Sequence, residues 1–121
     1  MNYTKRKQEN QRLRGHQLLT QELRLALPPM YAGEAQGLAA PALVKFFLPM
    51  TKWYSFASEF DGADTFFGLV AGDYIEYGYF SLSELEVARN RWGLPVERDC
   101  YYKPQPLRVI EKELRRIGVY Q

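Results

Sequence analysis

Residues 54–80 read YSFASEFDGADTFFGLVAGDYIEYGYF, and the period of this stretch decides the fold. Tyr54, Phe56 and Phe60 alternate with Trp53, Ser55, Ala57 and Glu59, a spacing of two that places successive side chains on opposite faces of a strand. Asp61-Gly62 reads as a turn, because Gly accepts a positive φ and an Asp carboxylate bonds the backbone ahead of it. Thr65–Ala71 is apolar on both faces, the pattern of a strand covered on each side. After Gly72-Asp73 turns the chain, Tyr74–Phe80 puts Ile75, Tyr77 and Tyr79 on one face and Tyr74, Glu76 and Phe80 on the other. Gly78 predicts a bulge or a close backbone approach.

Upstream, Val44, Phe46 and Leu48 alternate with Leu43, Lys45 and Phe47, and a turn over 49–52 joins them to the Tyr54 strand as a hairpin. Thr20 is placed to cap a short helix through Leu23 and Leu27, which Pro28-Pro29 stops, and 32–41 is a loop of small residues. Downstream, Ser81-Leu82-Ser83-Glu84 is a capping box that opens a helix with Leu82, Leu85, Ala88 and Trp92 on one stripe, ended by Gly93 and Pro95. Residues 96–102 are expected to add a fifth strand. Leu107, Ile110, Leu114 and Ile117 then form the apolar stripe of a last helix that Gly118 terminates. The predicted fold class is α+β: an antiparallel meander of four to five strands with two to three helices packed on one side of it.

A chain of 121 residues suits one domain. At 46% hydrophobic and 25% charged it is globular in composition, and its 15% aromatic content favours a sheet-centred core. No apolar block follows the polar N-terminus, so neither a signal peptide nor a membrane span is expected. Cys100 is the sole cysteine; with no disulfide to form, a cytoplasmic setting is expected. Residues 1–17 are expected to be a basic flexible arm, frayed or a loose helix, and 18–121 a single domain, because the arm has no apolar stripe to bury. Charge is uneven: six basic and two acidic residues over 1–30, two and eight over 31–88, eight and four over 89–121.

Glu59, Asp61 and Asp64 gather around one turn, with Glu76 on the neighbouring strand. Converging carboxylates can bind a divalent cation or divide acid and base work between them. Turn chemistry accounts for Asp61 and Asp64 without either role, so no metal and no cofactor is expected. His16 and Cys100 are too few for a zinc site; His16 has no partner that the sequence identifies, and Cys100 is expected to be core. Ser81 and Ser83 are explained as caps, and neither lies in a nucleophile elbow. Of Trp53, Tyr74, Tyr77, Tyr101 and Tyr102, about two are expected to be exposed and free to anchor a partner or stack a base.

The run Leu18-Leu19-Thr20 to Pro28-Pro29-Met30-Tyr31, then Lys45-Phe46-Phe47, Glu59-Phe60-Asp61-Gly62, Asp64 to Val70, Gly78 to Leu85 and Gly93 to Asp99, resembles the domain of unknown function family 2958 over about residues 18–107. The resemblance implies a bacterial, phage or plasmid setting, often among mobile-element genes. It implies no catalytic residues.

The expected function is a non-catalytic binding module of a phage or mobile element that acts through a protein partner, with Trp53, Glu59, Asp61, Asp64, Glu76 and Tyr77 as contact candidates. A host defence complex of the CRISPR or restriction type is the partner class in view, with the acidic middle of the chain able to imitate nucleic acid. The alternative is a nucleic-acid-binding accessory protein using Lys5, Arg6, Lys7, Arg12 and Arg14 with exposed tyrosines. A metal-dependent enzyme centred on Asp61 and Asp64 is the third reading. Oligomeric state is left open.

Overall fold

The computed structural model describes residues 2–118. In chain order the elements are helices α1 (Tyr3–Arg14) and α2 (Gln21–Ala26), a 3-10 turn (Gly37–Ala39), strands β1 (Pro41–Ala42), β2 (Val44–Phe47), β3 (Tyr54–Phe60), β4 (Thr65–Ala71) and β5 (Ile75–Ser81), helix α3 (Leu82–Val87), strands β6 (Glu97–Arg98) and β7 (Gln105–Pro106), and helix α4 (Leu107–Arg116). The main sheet is antiparallel, in the order β5-β4-β3-β2-β6. The predicted meander and its fifth strand are both present. A second, two-stranded sheet pairs β1 with β7, and no periodicity in so short a pair announces it.

Helices cover both faces of the sheet, not the one side expected. Val44, Phe46, Ala57, Phe60 and Phe66 pack with Leu18, Leu19, Leu27, Leu82, Leu85 and Val96 on one face. Phe56, Leu69, Ala71 and Ile75 pack under Leu107, Ile110 and Leu114 of α4 on the other. Two apolar faces need two covers, which is why β4 carries no polar side.

The alternation in β3 also departs from expectation. Its register with β4 passes from Ala57↔Gly68 to Glu59↔Phe67, leaving Ser58 as the extra residue of a β-bulge. The bulge reverses the alternation, so Phe60 joins the face of Ala57 and Glu59 joins the face of Phe56. Gly78, where a bulge was expected, pairs in regular register with Gly68 and has open space beside it. The close approach is at Gly68, where a Cβ would lie 1.8 Å from the Phe56 carbonyl oxygen.

Three further expectations are corrected. Residues 3–14 are helical and are tied to the body: Asn10 is fully buried, donating from Nδ2 to the Glu86 carbonyl and accepting from Arg89 Nε, while Glu9 pairs with Arg89. Polar side chains dock this helix, so the absence of an apolar stripe does not leave it loose. Helix α3 stops at Val87, well short of Trp92, which is exposed; Asn90 Oδ1 accepts the amides of Trp92 and Leu94 and turns the chain early. Cys100 is exposed rather than core, two residues past a strand that is only two residues long.

Candidate functional site

The bulge places Glu59, Phe67 and Tyr79 in one row across β3, β4 and β5, on the α4 face. Tyr79 meets Phe67 edge-on, with ring centroids 5.4 Å apart. Over this row runs the loop after α2. Pro28-Pro29 ends the helix, and the Phe60 amide donates to the Pro28 carbonyl, bringing the loop down onto β3. Glu59 is 7% exposed and holds the loop with both oxygens: Oε1 accepts the Tyr31 amide at 3.0 Å and Oε2 the Gly33 amide at 2.8 Å. Tyr31 adopts φ +70°, a left-handed conformation that costs energy for an aromatic residue and persists only where its surroundings enforce it.

Together these groups enclose a recess of about 310 Å³. Tyr31 and Tyr79 stand at its rim, both more than half exposed, with Glu59 and Phe67 deeper and Leu38 and Leu107 on the apolar wall. Interaction with the Tyr31 hydroxyl, then burial and the nearby charges of Glu59 and Glu34, raises the Tyr79 pKa above its usual 10.0. Tyr79 is therefore a neutral hydrogen-bonding group at physiological pH. Two rim tyrosines, a carboxylate that holds two backbone amides and an apolar wall thus line one recess.

Of the acidic candidates, only Glu59 enters this recess. Asp61 Oδ1 accepts the amides of Ala63, Asp64 and Thr65, and these bonds hold its carboxyl below the usual range. Asp64 faces α3: burial alone would raise its pKa, but bonds from the Ser81 and Ser83 hydroxyls and the Ser83 amide bring it below the usual value. Asp64 thus shares the capping work with Ser81, whose hydroxyl accepts the Glu84 amide. Glu76 is exposed on β5. Among the described residues no three His, Cys, Asp or Glu side chains are grouped to hold a metal ion.

Trp53 is half-buried against the first core, and Tyr77 donates to Glu111 Oε1 beneath α4, so neither is a free anchor. Tyr74 and Tyr101 are the two exposed members of the aromatic set. Among the basic residues of α1, Lys7 lies 3.4 Å from Glu86 and Arg14 Nε donates to the Val96 carbonyl, while Lys5 and Arg12 are exposed. His16, for which the sequence identifies no partner, accepts the Arg98 amide at Nε2. Sequence reasoning missed Tyr31, Gly33 and Tyr79. The parity of Tyr79 was legible, but its meeting with Tyr31 depends on a loop that carries no period.

The model of the family described as "Protein of unknown function (DUF2958)" matches residues 18–118, which take in the recess and omit α1. Neither a curated protein nor a solved structure matches the chain.

Proposed function

This chain belongs to the DUF2958 family, and we propose that it is a non-catalytic binding module that engages a protein partner at the Tyr31–Tyr79 recess. The observation that carries this reading is the pair of exposed tyrosines fixed over a backbone-held carboxylate. Tyrosines immobilised before binding supply large contact area at little entropic cost, which is why they recur as anchors of protein interfaces. Strain at Tyr31 is retained there, as at other sites where a loop is held ready for a ligand. A host defence complex of the CRISPR or restriction type is the partner class we propose, in keeping with the mobile-element setting that the family resemblance implies.

Site-directed photo-crosslinking tests the reading. Tyr79→p-benzoylphenylalanine is expected to capture a protein from lysate of a cell that carries the gene, and the same replacement at Tyr101 is expected to capture none. Capture must survive nuclease treatment. Equal capture at both positions, or capture lost with nuclease, sinks this reading; the latter outcome would favour nucleic-acid binding through Lys5 and Arg12.

A further inference from the structure

The chemistry of the recess narrows what part of a partner enters it. Among the described residues that line it, Glu34 and Glu59 are acidic and none is basic, so an anionic group would be repelled and a cationic one attracted. A volume of about 310 Å³ lies at the lower end of the range for small-molecule sites, the scale of one long side chain. A carboxylate has about four lone-pair positions, and the Tyr31 and Gly33 amides occupy two of those on Glu59. Two remain to be satisfied by donors from the recess.

Aromatic faces above a carboxylate suit a planar cation best. A guanidinium lies flat against a phenol ring, donates through a rigid fork, and is more weakly hydrated than an ammonium, so it loses less on leaving water. We propose, resting on the binding-module reading, that the recess receives the guanidinium of an arginine side chain presented by the protein partner. Tyr31 and Tyr79 supply the stacking faces, and Glu59 and Glu34 the opposing charge. The same constellation disfavours a neutral side chain, which would leave the remaining Glu59 lone pairs shielded from water without donors.

The test uses the full chain, labelled with ¹⁵N, and Nα-acetyl-arginine N-methylamide as the probe, with the Tyr31 and Gly33 amide signals followed by NMR. Saturable shifts of both amides in the millimolar range are expected. The citrulline probe has the same shape without the charge and is expected to bind at least about tenfold more weakly, as is the arginine probe to Tyr79→Ala. Tyr79 is more than half exposed, so that variant should stay folded with only the small loss of the Phe67 ring contact, and Glu34→Gln provides a second variant with weakened binding. The proposal is overturned if the arginine probe gives no saturable shift, or if the citrulline or lysine probe binds as well. The probe needs no partner, so cross-linking at position 79 with no probe binding would overturn the arginine assignment alone, and probe binding without cross-linking would overturn the partner reading alone.

Discussion

The Gly33 amide donates to Glu59 Oε2 at 2.8 Å, and a Cβ added at residue 33 would lie 2.9 Å from that same oxygen. The hydrogen bond that fixes the loop therefore requires the absence of a side chain at its donor. The carboxylate has little room to retreat, because its other oxygen holds the Tyr31 amide. Gly33→Ala should cost about 1 to 3 kcal/mol by overpacking and shift the Tyr31 amide resonance. Urea denaturation with NMR reads both, and an unchanged midpoint would show that the carboxylate is not rigidly held.

Two glycines that face each other across β4 and β5 should respond in opposite ways. Gly68→Ala drives a Cβ into the Phe56 backbone and should cost more than about 4 kcal/mol or prevent folding. Gly78→Ala meets nothing within 4 Å and should be neutral or stabilising, by about 0.5 kcal/mol, since Gly in a strand carries an entropic penalty. Similar losses at the two positions would contradict the bulge geometry.

The stripe of α4 should divide by burial. Leu114 is 8% exposed against the second core and Ile117 is 49% exposed. Leu114→Ala should cost about 2 to 5 kcal/mol, and Ile117→Ala should stay within about 0.5 kcal/mol, as at other surface positions. Thermal or urea unfolding of the two variants side by side decides it.

His16 predicts a pH dependence. Its Nε2 accepts the Arg98 amide, a bond that protonation abolishes, and burial, followed by the Arg98 and Arg14 charges, lowers its pKa below 6.5. A base whose folded pKa is depressed adds stability that is complete above its unfolded pKa and is lost as pH falls through the folded value. Stability should therefore decline as pH drops below about 6.5, before the carboxylates titrate. His16→Gln should flatten the curve in that window, and parallel curves for the two proteins would rule His16 out as the cause.

How far the site could be read in advance turns on Ser58. The strands of 54–80 were legible because side-chain alternation is a property of consecutive residues, as was the capping by Thr20 and Ser81. A uniform period across β3 puts Phe60 on the face of Phe56, and the bulge moves it to the opposite one. Nothing in YSFASEF marks the extra residue, because a bulge is settled by which partner residues the neighbouring strand offers. The opening at Gly68, beside the Phe56 carbonyl, is one such feature.

By itself the sequence determined four alternating or apolar segments in order, the turn residues between them, the caps of α2 and α3, and the apolar stripe of α4. Each follows from interactions among residues a few positions apart. Tertiary structure alone decided that helices cover both faces of the sheet, that α1 docks through Asn10 and Arg89, and that Glu59 turns into the recess to hold Tyr31 and Gly33. Those outcomes depend on contacts between residues about 25 to 80 positions apart, where the order of residues along the chain sets no distance and only the packing of the whole can choose among partners.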